Sequence, residues 1–305
     1  MPCSIVIPTK DRPTGLLQAV NSALAALPAG GEIIVVDDGC TIPAVDVLAL
    51  LAGPGLRVVN NPGPHGPSGA RNHGVFQAKQ SIIFFLDDDD ALLPDYCQTI
   101  LDIIADLPAS VGYGFSAAFV KLPSGQDRYD GKTIDSGILV DDTPLDERLT
   151  GLGTGFWIKR EVFFKVGGLD PALHVNEDTE LSVRLAAAEV MPYYHNRPGV
   201  LIFHDPVRHA KDHKSITRSA DAAMRALGFE YILRKHDAFL QDHPAFRRKF
   251  MLRVIKYRSR ARKVDGWNEF CSSLRPTLEN RVIWAHGWVW LRLSIALRKR
   301  KRKRA

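Results

Sequence analysis

Apolar and polar positions change rhythm several times along this chain. Over the first hundred residues, short apolar runs rich in Val, Ile and Phe alternate with segments of helical spacing, the signature of a largely parallel sheet flanked by helices. Ser4–Pro8 reads as a first strand. After the turn Thr9-Lys10-Asp11-Arg12-Pro13, Leu16, Leu17, Val20, Leu24 and Leu27 recur at helical spacing and predict a helix over Thr14–Leu27. Ile33–Val36 and Arg57–Asn60 follow as strands, Gly69–Ala78 as a helix, and Ile82–Leu86 as the next strand. Ser110–Thr150 is rich in Gly, Asp and aromatic residues but weakly periodic, and its pattern assigns no element. A last clear helix is expected over Thr179–Glu189. Beyond about Ser215 the pattern turns to basic helices without strand signals.

Charge follows the same division. Residues 1–215 carry 17 Lys+Arg against 27 Asp+Glu, while residues 216–305 carry 23 against 7, so net charges of −10 and +16 sit on the two parts. We therefore expect an α/β domain over 1–215 and a basic helical region over 216–305, with different partners. The 45% hydrophobic content argues against wholesale disorder. Cys3, Cys40, Cys97 and Cys271 show no CxxC pairing or metal-finger spacing and read as reduced and incidental. Met1 leads straight into Ser4–Ile7, which reads as a buried strand, not a signal peptide; with no apolar stretch of spanning length, the expected location is cytoplasmic.

Three polar clusters fall at the carboxyl ends of expected strands: Thr9–Arg12, Asp37-Asp38 and Asp87-Asp88-Asp89-Asp90. That edge is where doubly wound sheets bind ligands. Four contiguous carboxylates would repel one another, and a divalent cation such as Mg²⁺ or Mn²⁺ removes the problem because it favours carboxylate and phosphate oxygens. An EF-hand loop does not fit, since Leu92 stands where its Gly is needed. A dinucleotide-binding dehydrogenase does not fit either, because Pro8-Thr9-Lys10-Asp11 replaces Gly-x-Gly-x-x-Gly after the first strand.

Six elements in order now resemble family 2 of the GT-A-fold glycosyltransferases: Ser4–Pro13, Val35–Gly39, Gly66–Asn72, Phe85–Asp90, Gly167–Asp170, and Glu177–Leu181 with Arg184. The resemblance covers about residues 4–190 and implies a metal-dependent, inverting transferase using a nucleotide-sugar, UDP before GDP or dTDP. It implies nucleotide-sugar contacts from Pro8, Thr9, Asp11, Arg12, Asp37, Asp38, Arg71, Asp87 and Asp88. Asp89 and Asp87 become the expected metal ligands, with Asp88 and Asp90 supporting. Asp178 is the expected general base for the acceptor hydroxyl and Glu177 its fallback, although both also suit a helix N-terminus. A downstream histidine near the metal is a family feature; of His204, His209 and His213 we favour His213, whose His-Lys-Ser is one residue short of the family's His-x-x-Ser. No Gln-x-x-Arg-Trp element is present, which favours transfer of a single sugar over polymerisation. Donor and acceptor specificity is expected in Ser110–Thr150 and around Gly151–Trp157. The competing class is a catalytically silent nucleotide- or glycan-binding module.

In the basic region, Arg247–Lys263 aligns Phe250, Val254, Tyr257 and Ala261 on one helical face, and Ile283–Leu297 carries Trp284, Trp288 and Trp290 before seven consecutive basic residues, Arg298–Arg304. Both suit peripheral attachment to an anionic, cytoplasm-facing membrane, and hence a glycan or lipid-linked acceptor. A basic tail alone carries no base-reading chemistry, so no nucleic-acid partner is expected.

Overall fold

The computed structural model describes residues 1–51, 53, 55–122, 124–140, 143–203, 222–262 and 265–274, with scattered positions between 282 and 296. The chain divides into two compact units, Met1–Ser215 and Ile216–Ala305.

The first unit is built on a ten-stranded mixed sheet. Its N-terminal half comprises β1 (Ser4–Thr9), β2 (Glu32–Asp37), β3 (Leu56–Asn60) and β4 (Ile82–Phe85), all mutually parallel in the order β3-β2-β1-β4. Ile5, Val6, Ile7, Ile33–Val36 and Ile82–Phe85 are buried on both faces, which is why these strands read as unbroken apolar runs. Register aligns Thr9 with Asp37 and Asp37 with Asn60, while Val6 pairs with Phe85. The chain order reverses between β1 and β4, so the crevice at their carboxyl ends is the switch point where such sheets hold ligands.

Helix α1 (Pro13–Ala26) buries Leu16, Ala19, Val20 and Ala23; Leu17, expected on that face, is exposed. The short α2 (Ala44–Val47) follows β2, and α3 (Pro67–Gln77) precedes β4. Both α1 and α3 begin on a proline, whose missing N–H costs nothing in the first turn. Past the acidic turn come β5 (Ala91–Leu92) and α4 (Tyr96–Asp106). The segment without a readable pattern contains β6 (Val111–Lys121), β7 (Asp127–Asp130), β8 (Gly137–Ile138) and α5 (Leu145–Arg148). Strand β9 (Trp157–Lys159) inserts antiparallel between β4 and β6. After it, α6 (Arg160–Lys165) and α7 (Glu177–Ala187) lead to β10 (Met191–Phe203), parallel to β6.

Among the described residues, the second unit is helical: α8 (Ala222–Lys235), α9 (Asp237–Gln241), α10 (Pro244–Ala261) and α11 (Trp267–Ser272). Phe229 of α8 packs on Phe250 of α10 with ring centroids 5.4 Å apart and stacks on Tyr257 at 6.0 Å. The Phe250–Val254 face is thus core, with both residues at most 2% exposed, and it is unavailable to a membrane. Glu230 and Arg258 form a buried, two-bonded ion pair across the same interface. No helix among the described residues is long and apolar enough to cross a membrane.

Candidate active site

The acidic turn follows β4 directly and is closed by Asp90 N–H donating to the Asp87 carbonyl at 3.1 Å. It sends its four carboxylates in two directions. Asp88, buried, turns toward β1 and accepts from Thr9 Oγ1 at 2.8 Å, from Lys10 N at 3.4 Å and from Arg12 Nη1 at 2.7 Å. Asp87, Asp89 and Asp90 converge instead, each offering a carboxylate oxygen within 4.8 Å of the others. Asp90 also accepts from the Phe203 amide at 3.2 Å. Burial, reinforced by Asp87 and Asp89, pushes the Asp90 pKa well above the carboxylate range; burial likewise raises Asp88 to about 6, with Arg12 opposing.

Two arginines answer much of this charge. Arg12 reaches Asp89 at 3.0 Å as well as Asp88, and Arg71 reaches Asp87 at 2.5 Å. Arg71 lies on α3, is 6% exposed, and is therefore no surface cation. Its other branch meets Glu177 at 3.3 Å. Burial works against the Arg71 charge, yet Asp87 and Glu177 outweigh it and its pKa is raised.

The reach from α3 to Glu177, over a hundred residues along the chain, has a local cause. Gly69 packs so closely under Pro64 that a Cβ there would stand 1.7 Å from its carbonyl oxygen. With α3 so seated, Ser68 Oγ donates to Leu173 O at 3.1 Å, while Asn72 exchanges two 2.8 Å bonds with the Leu169 backbone. These bonds hold the Gly167–Leu173 segment on α3 and deliver the start of α7. That helix begins at Glu177, two residues before the expected Thr179, after Asn176 in left-handed conformation. Glu177 and Asp178 consequently occupy the first turn, where backbone N–H groups favour negative charge. Asp178 Oδ1 accepts from the Thr179 N–H at 2.6 Å and hydroxyl at 3.2 Å. Burial raises the Asp178 pKa, opposed by Thr179; burial and Asp178 together raise Glu177 to about 7.

The β2 aspartates are engaged differently. Asp37 accepts from the amides of Gly39 (2.9 Å), Cys40 (2.7 Å) and Ala44 (2.7 Å), and these bonds lower its pKa against the effect of burial. It organises the turn into α2. Asp38 gathers the β3–α3 loop, with Asn61 Nδ2 at 2.6 Å, His65 Nδ1 at 3.0 Å and Gly66 N at 2.8 Å. Asn61 and His65 were not individually legible from sequence; their only signal is a Gly/Pro-rich loop ahead of a helix. Asp11 accepts from Thr41 N at 2.6 Å, and Thr9, Asp11 and Arg12 line a cavity of about 250 Å³ beside Cys40 and Ile42. Pro8 is half-buried at the end of β1.

The family model described as Glycosyl transferase family 2 matches residues 4–167, more than half of the chain. The chain belongs to this family. An uncharacterized glycosyltransferase of Haemophilus influenzae is 28% identical over 196 residues, covering 64% of this chain and 66% of that one. The GalNAc(5)-diNAcBac-PP-undecaprenol beta-1,3-glucosyltransferase of Campylobacter jejuni is 33% identical over 101 residues, 32% of this chain and 33% of that one. The chain thus spans under two thirds of either relative's own length. The crystal structure of S. aureus TarS 1-349 in complex with UDP-GlcNAc superposes with a TM-score of 0.62 at 14% identity, covering 97% of this chain and 82% of TarS. At that identity the likeness speaks for the fold, which is GT-A-like.

Within this glycosyltransferase domain the convergent oxygens of Asp87, Asp89 and Asp90 fit a hard divalent cation, whose ligands are carboxylates, phosphates and water. Asp90 faces the cluster alongside the two aspartates expected there. His213, with His204 and His209, lies outside the described residues. One glycine turn reaches both the cluster and Asp178: a Cβ on Gly151 would stand 3.2 Å from Asp178 Oδ2, and one on Gly153 would stand 3.3 Å from Asp87 Oδ2. Thr150 and Thr154 brace that turn through a 2.7 Å hydroxyl contact.

Proposed function

We propose that this chain moves a single sugar, with inversion, from a nucleotide-sugar to a hydroxyl of a glycan or lipid-linked acceptor in cell-surface polysaccharide assembly, with UDP as the nucleotide. The observation that carries this reading is the pairing of two carboxylate groups with different surroundings across one glycine turn. Asp87, Asp89 and Asp90 converge on one side; Asp178, fixed through Oδ1 by Thr179, presents Oδ2 beside Gly151 on the other.

A bound Mn²⁺ or Mg²⁺, held by Asp87, Asp89 and Asp90, would offset charge on the departing diphosphate. Asp38 and the loop it gathers would receive the base and ribose, with Pro8 and Thr9 alongside. Asp178 would take the proton of the acceptor hydroxyl as that oxygen attacks the anomeric carbon opposite the leaving group. Its raised pKa suits that task, since a base works best when its pKa approaches the working pH. Glu177, held by Arg71, is less free to serve as the base. Asp178→Asn should lower transfer from UDP-sugars at least ~10²-fold with UDP affinity and melting temperature unchanged. Turnover within a factor of three of wild type would defeat the assignment.

A lipid-linked acceptor calls for access to a membrane. The relative from C. jejuni bears a name that includes an undecaprenol-linked substrate. In the second unit, Gly287 and Leu291 are buried while Val289, Trp290 and Leu293 are 51%, 56% and 57% exposed, a few residues before the Arg298–Arg304 run. That outward face, rather than Phe250 and Val254, is the surface we assign to an anionic bilayer.

A further inference from the structure

The Asp87–Asp90 turn carries its own counter-ion. Arg12, whose side chain is 11% exposed, holds Asp88 at 2.7 Å and Asp89 at 3.0 Å through the same Nη1. Asp88 is anchored in turn by Thr9 Oγ1 and Lys10 N, so the guanidinium is fixed to a rigid partner and cannot simply swing away from Asp89. At the other end of the cluster Arg71 occupies Asp87. An entering divalent cation therefore meets two carboxylates already half-neutralised by fixed positive charges that also repel it.

We propose that Arg12 is a positioning residue that keeps the free enzyme's affinity for a divalent cation low, so that the cation is taken up together with a nucleoside diphosphate. The inference rests on reading Asp87, Asp89 and Asp90 as the cation site. A diphosphate brings negative charge and further oxygen ligands, which restore what Arg12 and Arg71 cancel. Metal and nucleotide are then coupled: each tightens the other by the same factor. Arg12 sets the size of that factor by weakening the metal-only state more than the state in which the diphosphate is present.

The test is a titration of full-length protein with Mn²⁺, reading free Mn²⁺ by electron paramagnetic resonance, with and without saturating UDP. In Arg12→Gln, Mn²⁺ alone should bind about tenfold tighter than in wild type, and tightening by UDP should shrink by a similar factor. Arg12→Lys keeps the charge and should stay within about threefold of wild type. A merely structural role predicts the reverse, weaker Mn²⁺ binding in both variants. Unchanged or weaker metal-only affinity in Arg12→Gln, with wild type binding Mn²⁺ in the presence of UDP, overturns the role of Arg12 and leaves the cation site standing. Absence of Mn²⁺ binding by wild type even with UDP overturns the site reading, and this inference with it. Circular dichroism confirms that each variant is folded before titration.

Discussion

Replacing Arg71 by Leu removes a side chain that bonds both Asp87 and Glu177. Leucine fills much of the volume, so the loss is chiefly electrostatic. Breaking a buried ion pair from one side costs about 3–5 kcal/mol, because the partner is left charged and poorly solvated. Glu177 is 14% exposed and bears that cost nearly in full, whereas Asp87, at 32%, recovers part of it from water. A destabilisation of about 2–4 kcal/mol at pH 8 is therefore expected. For a unit of this size that corresponds to a fall in melting temperature of about 5–15 °C. The effect has a pH signature. Burial and Asp178 raise the Glu177 pKa from its ordinary 4.5 to about 7, against the pull of Arg71. An acid with a raised folded-state pKa favours folding below its unfolded pKa and loses that contribution as pH rises through the folded value. Without Arg71 the folded pKa climbs further, so the deficit of Arg71→Leu must grow between pH 5 and pH 8. Urea unfolding of both proteins at the two pH values measures it. A deficit under 1 kcal/mol at pH 8, or one larger at pH 5, would refute the reasoning.

Two further outcomes follow from exposed geometry. Gly153→Ala places a methyl group 3.3 Å from Asp87 Oδ2, and should cut transfer at least ~10-fold while stability changes by less than about 1 kcal/mol, read by initial rates and thermal melts. Exchanging Trp290 and Leu293 together for serine should weaken pelleting with phosphatidylglycerol vesicles about tenfold or more, with little change on phosphatidylcholine; equal pelleting would remove that face from the membrane assignment.

The sheet edge that holds the site was legible because β1, β2 and β4 are buried on both faces and so write themselves as continuous apolar runs. Helix starts were displaced by one or two residues where proline or an acidic pair opens the first turn, as at Pro13, Pro67 and Glu177. Leu17 misled because α1 packs through small residues, Ala19, Ala23 and Ala26, leaving a larger neighbour outside. The region after Ser110 resisted for a different reason. Strand β6 is buried through most of its length and includes Gly112 and Gly114, so it shows no alternation, and its neighbour β9 arrives from forty residues away. Pairing partners of that kind are chosen by tertiary contacts and leave no local periodicity. The apolar stripe of Arg247–Lys263 was visible, but a stripe says only that something covers it; here Phe229 does.

What no pattern in the sequence could supply is the direction in which each member of the aspartate run points. Four like charges in a row suggest a single function, the holding of a cation, and by that reading the cation alone relieves their repulsion. The turn at Asp87–Asp90 instead separates one side chain from three. Asp88 faces backward into Thr9 and Arg12, where it anchors a guanidinium; the others converge on one another. Repulsion within the run is met first by Arg12 and Arg71, and both arginines come from sequence motifs that resemblance alone would assign to the nucleotide. Because Arg71 also grips Glu177, the charge of the donor side is tied mechanically to the first turn of α7, one residue from the carboxylate proposed as base. A cation held by Asp87 would alter that carboxylate's hold on Arg71 and so the field at Asp178. On the roles proposed above, filling the donor site and preparing the acceptor base become one electrostatic event.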